Sequence, residues 1–271
     1  GDGETPIFPI QIFKVKEGVN YNPGDKNYDL FQKAIICSAK RLFPNFSFLD
    51  APFNFKYYKE NDYNSEVAYM GCRTRVMANN YDPTKEVTCG RGNLSFTSIN
   101  LPRLGILYPN KDEFFKHLDE MCDLVIKQLL DRFEVQRHKK VKNMPFLMGQ
   151  HVWIDSDKLG WDDEIDEVIR NGTLTIGFIG LAECLIALTG KHHGESEESQ
   201  KLGLEIVGFM RKKMDEASEK YHLNFSLIAT PAEGLSGRFV KLDKKRFGII
   251  PGVTDKEFYT NSFHVPVYYP I

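Results

Sequence analysis

Apolar and polar positions change period several times along this 271-residue chain. Residues 7–15 (IFPIQIFKV) form an almost continuous apolar run and predict a buried strand, with Pro9 near its start or at a bulge. A Gly/Asn/Pro turn follows at 18–27. Over 29–43 the positions Leu30, Ala34, Ile35, Ser38 and Leu42 recur at helical spacing, and Pro44 and Asn45 end the run. Residues 46–49 are a short strand candidate. Residues 50–92 have no period and are rich in Tyr, Asn, Gly and Asp, which predicts a functional loop. Residues 93–101 (NLSFTSINL) alternate like a strand. Asn110, with Glu113 three positions on, opens a helix whose stripe is Phe114, Leu118, Met121, Val125 and Leu129.

The second half repeats the alternation of types. Residues 172–178 predict a strand, and 181–188 a short apolar helix closed by Gly190. Leu202, Ile206, Phe209, Met210, Met214 and Ala217 mark an amphipathic helix. Residues 224–230 predict another strand, and Pro231 suits the first turn of a helix. Residues 262–269 look extended. Strands alternating with helices of this length predict α/β architecture with parallel crossovers, in a single domain covering 1–271.

Composition adds exclusions. A formal net charge of −2 excludes a basic footprint spread over the whole protein, so no nucleic-acid partner is expected. The cluster Arg137-His138-Lys139-Lys140-Val141-Lys142 reads as a solvated helix end rather than a phosphate patch. No run approaches the roughly 20 apolar residues of a membrane span, and no signal peptide opens the chain. The expected compartment is the cytoplasm. The five cysteines, Cys37, Cys72, Cys89, Cys122 and Cys184, form no Cys-x-x-Cys pair, so no metal site is expected in this segment. Asp162, Asp163 and Glu164 look like the first turn of a helix, and His192-His193 like a solvent-exposed pair on a polar loop.

Four segments could carry chemistry. In Met70-Gly71-Cys72-Arg73-Thr74, Cys72 is a nucleophile, a metal ligand, a radical carrier or a buried inert thiol. Gly90-Arg91-Gly92-Asn93 is either a strand-entry turn or a close backbone approach. Asn93 begins a strand where Asn is disfavoured, and its amide suits a substrate hydroxyl. Residues 177–184 (GFIGLAEC) form a strand-to-helix junction in which Cys184 is structural and the role of Glu183 stays open. Residues 230–238 (TPAEGLSGR) gather free N–H groups, two hydroxyls, glycines and an arginine, which is chemistry for a phosphate or a capped helix start.

Taken in order, ETPIFP at 4–9, MGCRTRV at 70–76, GRGNLSFTSINLPR at 90–103, GFIGLAECLIALTG at 177–190, TPAE at 230–233 and YTNSFHVPV at 259–267 resemble one family. It is the anaerobic, class III ribonucleoside-triphosphate reductases of the glycyl-radical superfamily. The resemblance implies a ten-stranded α/β barrel, present here in part, with a central finger loop at about 50–92. It implies that Cys72 is the finger-tip cysteine, which as a thiyl radical abstracts the 3′ hydrogen of the ribose. Asn93 would bind the ribose hydroxyls. Thr230, Pro231, Ala232, Glu233, Gly234, Leu235 and Ser236 would hold the triphosphate.

The resemblance also has gaps. The family's early second cysteine, its Arg-Val-x-Gly-Tyr radical segment, its four-cysteine zinc site, its ATP cone and its dimer helices have no match in these residues. The chain therefore reads as the central and later barrel of a longer enzyme, inactive alone. The parent would need a glycyl radical made by an iron–sulfur/S-adenosylmethionine activase, a structural zinc outside this segment, and a homodimer. Two alternatives are a non-catalytic nucleoside-triphosphate-binding module and a formate-lyase-type glycyl-radical enzyme. The latter predicts adjacent cysteines at the finger tip, whereas Gly71 and Arg73 flank Cys72.

Overall fold

The computed structural model describes residues 10–41, 43–69 and 74–262. Cys72, Pro9, Leu42 and the extended stretch expected beyond Ser262 lie outside the described residues. Two compact units emerge: Gly1–Asn79 with Pro83–Cys89, and Asn80–Asp82 with Gly90–Ile271.

The first unit is a small β–α–β arrangement. Strand β1 (Ile12–Val15) pairs in parallel with β2 (Asn45–Phe48), and helix α1 (Tyr28–Arg41) connects them. The sequence pattern placed Leu30, Ala34 and Ile35 on the buried stripe of α1; Ala34 is buried, but Leu30 and Ile35 are exposed and Phe31 is buried in their place. Aromatic packing turns the helix this way. The Phe31 ring lies 6.1 Å from both Phe13 and Phe46, and burying a Phe removes more apolar area from water than burying a Leu. Among its described residues, the stretch after β2 holds only the single-turn α2 (Pro52–Phe55) and two 3-10 turns, Tyr63–Ser65 and Pro83–Lys85, as helical and 3-10 elements, in agreement with its missing period.

The second unit is built on three parallel strands in the order β3 (Asn93–Asn100), β4 (Thr173–Ile179), β5 (Asn224–Ala229). Helices α3 (Leu101–Leu107), α4 (Lys111–Arg137) and the short α5 (Asp166–Ile169) link β3 to β4. Helices α6 (Leu181–Thr189) and α7 (Glu197–Tyr221) link β4 to β5, and α8 (Leu235–Phe247) follows β5. The Asn110 side chain caps α4 by accepting from the Asp112 and Glu113 amides, and Gly190 (φ +81°) closes α6. One face of the sheet packs Leu174, Ile176 and Phe225 against Phe114, Leu118, Val125 and Leu129 of α4 and Ile206, Met210 and Met214 of α7. Burial pushes the Cys122 thiol, within this core, up to about 12. No described helix is long and apolar enough to cross a membrane.

Three local expectations are corrected. Asp162–Glu164 do not start a helix. Asp163 accepts from the Gly160 amide, Asp162 pairs with Lys142 and Glu164 with His138, so α5 begins only at Asp166. Pro231 does not sit in a first turn, because the amides of Thr230 and Ala232 are taken by Phe178 O and Asn261 Oδ1, and α8 begins at Leu235. His192 is buried rather than solvent-exposed. Its Nδ1 accepts from the Gly194 amide, and desolvation holds its pKa below the usual imidazole value.

The basic cluster lies at the end of α4, as the sequence predicts, and Arg137 and His138 within it are ion-paired. Arg137 meets Glu134 and Asp166, and His138 lies 3.1 Å from both Glu164 and Glu134. Hydrogen bonds from Arg137 and then His138 hold the Glu134 carboxyl down at about 2, while those to Glu164 and then Glu134 raise the His138 pKa. A raised folded pKa gives stability that is complete below the ordinary imidazole value and is lost as pH rises through the folded one. His138 is therefore expected to titrate above free histidine in an NMR pH series, and Glu164→Gln to move that midpoint down; an unmoved midpoint contradicts the pairing. A second expectation concerns the centre of the sheet. A Cβ on Gly177 would collide with Thr230 Oγ1 and meet Ser98 Oγ at 2.8 Å. Gly177→Ala should cost about 1–3 kcal/mol, read as a lower urea midpoint at unchanged m-value.

Candidate functional site

A parallel sheet between helices is normally apolar on both faces. This one is not. Side chains alternate along a strand, and the face opposite the α4–α7 core carries hydroxyls and amides. Thr173 donates to the Asn93 amide oxygen at one end. Thr175 Oγ1 and Ser226 Oγ are 2.8 Å apart in the middle. Ser98 Oγ and Thr230 Oγ1 are 2.7 Å apart towards the other end. Asn224 lies level with Asn93 across Thr173, and its Oδ1 accepts from the Asn80 amide. The result is a polar track along the strands, made possible in its last third by the missing side chain at Gly177.

The sequence-predicted residues fall at the two ends of this track. Asn93 is exposed at the N-terminal edge of the sheet. Thr230 is buried just past the C-terminal edge. Six residues separate Asn224, level with Asn93, from Thr230, a rise of ~20 Å. The structure therefore does not place Asn93 and the 230–236 loop side by side. A ligand touching both has to lie along the strands.

Within the loop the groups differ in what they offer. The Ser236 hydroxyl is buried and donates to the Ala232 carbonyl at 2.6 Å, so it faces inward. The Ala232 amide is held by Asn261. Glu233 and Gly234 are exposed. No side chain caps the start of α8 at Gly234, and the first amides of a helix lack intrahelical acceptors. Negative charge is favoured at such an end.

Two buried carboxylates, one of them missed by sequence reasoning, fix this loop in place. Asp243 of α8 accepts from Asn100 Nδ2 at 2.7 Å, from Arg103 Nε at 2.6 Å and from the Tyr259 hydroxyl at 3.0 Å. Burial, then the Asp243 charge, raises the Tyr259 pKa well above the usual phenol value. Glu183, the open case in the sequence, is fully buried at the start of α6. It accepts from Thr260 Oγ1 at 2.8 Å, from the Thr260 amide and from Lys256 Nζ at 3.0 Å. The Gly180 amide donates to Thr260 O at 2.7 Å. Residues 259–262 are thus a strap joining the start of α6 and the middle of α8 to the loop after β5. The available signal was an acid in an otherwise apolar helix (LAECLIAL). Cys184 beside it is buried, and desolvation raises its thiol far above the ordinary value, in agreement with a structural role. Among the described residues no group of three or more His, Cys, Asp or Glu could hold a metal ion, so a zinc site does not fit them.

Comparison with known proteins gives this geometry a family. The family model for anaerobic ribonucleoside-triphosphate reductase matches residues 1–271. The chain is 35% identical over 269 residues to the anaerobic ribonucleoside-triphosphate reductase of Escherichia coli, covering 97% of this chain and 36% of that protein. It is 34% identical over 273 residues to that of Enterobacteria phage T4, covering 98% of this chain and 42% of the phage protein. The chain thus spans well under half the length of these curated relatives. The crystal structure of the anaerobic ribonucleotide reductase from Thermotoga maritima with citrate in the active site superposes with a TM-score of 0.65 at 15% identity. That match covers 96% of this chain and 42% of the other. The same enzyme in complex with dATP and CTP matches at 0.59. By its family match and its relatives, the chain belongs to the anaerobic ribonucleoside-triphosphate reductases.

Proposed function

We propose that these residues are the central and later part of the catalytic barrel of an anaerobic ribonucleoside-triphosphate reductase, acting as one domain within a partial ten-stranded barrel. The observation that carries this reading is the polar track on a parallel-sheet face, running from Asn93 to Thr230. It suits a substrate that is polar along its whole length. The exposed, uncapped start of α8 takes the phosphates, with Thr230, Pro231, Ala232, Glu233, Gly234, Leu235 and Ser236 shaping the turn. In this loop the Ser236 hydroxyl acts by holding the Ala232 carbonyl, and backbone amides carry the contact. Asn93 takes the sugar hydroxyls at the other end with its amide nitrogen, since Thr173 occupies its oxygen. The solved relative complexed with dATP and CTP is consistent with a nucleotide ligand.

The chemistry falls to Cys72 at the tip of a finger loop within 50–92. As a thiyl radical, Cys72 takes a hydrogen atom from the 3′ carbon of the ribose; an S–H bond forms, the C–H bond breaks, and the unpaired electron moves to the sugar. This transfer needs no general base. The glycyl radical that would oxidise Cys72, the activase that makes it and the structural zinc belong to parts of the family pattern not matched by these residues. This stretch by itself is therefore inactive. A cytoplasmic, homodimeric parent completes the proposal.

The test uses the full-length protein, activated anaerobically. Cys72→Ser should abolish reduction of ribonucleoside triphosphates while nucleotide binding, read by calorimetry, persists. Full activity in that variant would remove the radical role of Cys72. Binding of triphosphate to a full-length protein that cannot be activated under any condition would favour the non-catalytic binding module.

A further inference from the structure

Strand β3 begins with a bulge. Asn93 pairs with Thr173 and Ser95 with Leu174, so Leu94 is an extra residue on β3. From Ser95 to Asn100 the two strands then advance one residue for one. A shift of one residue exchanges the two faces of a strand. Ser95 and Thr97 face α4, where Arg132 Nη1 donates to Ser95 Oγ at 3.0 Å and Thr97 donates to Gln128 at 2.8 Å. By plain alternation Asn93 would face the same way. The bulge turns it instead to the face of Thr173, at the N-terminal end of the polar track.

Two contacts seat the bulge. Leu94 packs against the apolar core and lies over Gly172, where a Cβ would come within 2.6 Å of the Leu94 side chain. The Leu94 carbonyl accepts from Gln136 Nε2 of α4 at 3.0 Å. Thr173 then sets the Asn93 amide. Thr173 is fully buried, and a buried hydroxyl is costly unless it is hydrogen-bonded. Among the described residues its hydroxyl makes one hydrogen bond, donated to Asn93 Oδ1. A carboxamide can offer either end to a ligand. Here the oxygen is engaged, and among the described residues the exposed Asn93 finds no acceptor for its nitrogen.

We infer that Thr173 is a positioning residue for Asn93, and that the Leu94 bulge seated over Gly172 is what brings the two together. The pair presents a ligand with a hydrogen-bond donor whose orientation is set before binding. Setting it in advance removes the entropy of ordering that side chain when the ligand arrives. This deepens the sugar-hydroxyl role proposed for Asn93 and rests on that reading.

The test uses the full-length protein, activated anaerobically, and reads kcat/KM for ribonucleoside triphosphate reduction. Folding of each variant is checked by its urea midpoint. Thr173→Val removes the hydroxyl and keeps the branched shape. It should lose about tenfold, as expected for one hydrogen bond, and Thr173→Ser should recover most of that loss. Asn93→Ala should lose at least as much, and adding Thr173→Val to it should lower kcat/KM no further. Gly172→Ala pushes Leu94 off its seat and gives the same cycle from the other side of the bulge, including where Thr173→Val does not fold. A purely structural role predicts that the losses multiply, because a smaller folded fraction scales every background alike. Multiplying losses, or wild-type kcat/KM in Thr173→Val, would overturn the inference and leave Asn93 in its role. A Thr173→Ser variant no better than Thr173→Val would do the same, and this comparison holds even where Asn93→Ala is inactive. Wild-type kcat/KM in Asn93→Ala would instead remove the sugar role of Asn93, and the inference with it.

Discussion

The second unit depends on one fully buried carboxylate. Asp243 has four donor atoms around it: Asn100 Nδ2, Arg103 Nε and Nη2, and the Tyr259 hydroxyl. An uncompensated charge in that position would cost several kcal/mol; fully surrounded, it ties together the end of β3, the start of α3, the middle of α8 and the strap that follows. These elements come from distant parts of the chain, and this contact registers α8 against the end of the sheet. Glu183 does the same at the start of α6. Both acids act through geometry and take no part in the proposed chemistry.

The second constraint is the division of the sheet into an apolar and a polar face. The apolar face is settled by α4 and α7. The polar face carries paired hydroxyls whose hydrogen bonds run across strands, Thr175 to Ser226 and Ser98 to Thr230. In each pair one hydroxyl donates to the other, which leaves the accepting hydroxyl's own O–H to be met by water or a bound group. That suits a surface shared between the fold and a ligand.

Much of this was legible in the sequence. Alternating strands and helices predicted parallel crossovers, and β3, β4 and β5 are parallel. The 3.6-residue periods of α4 and α7 named most of the residues that are buried, while Met121, Leu202 and Phe209 of those stripes are only partly buried. The family emerged from short motifs in order, and relatives over 97% of the chain bear it out. What failed was local. The face of α1 is decided by three aromatic rings that meet only in three dimensions, which a single-helix pattern cannot weigh. The start of α8 slipped by four residues because partners distant in sequence hold the amides around Pro231. Histidines 192 and 193 sat in a polar-looking stretch, yet His192 is buried. The Asp243 and Glu183 contacts span 140 and 77 residues, a separation at which periodicity carries no information. The polar track could have been read from the alternation of small polar residues in TLTIG and NFSLIA, a pattern out of place in strands buried on both sides.

Gly177 gives this fold a coupled position. Its missing side chain is the space into which the hydroxyls of Ser98 and Thr230 converge. Residues 98, 177 and 230 therefore behave as one volume shared among three strands. A carbon atom gained at 177 has to be given up at 98 or 230, and the hydroxyl lost would be one that closes the C-terminal end of the track. Within this family the three positions should drift together or stay fixed. The centre of a sheet, ordinarily a matter of packing, is here bound to the composition of the site.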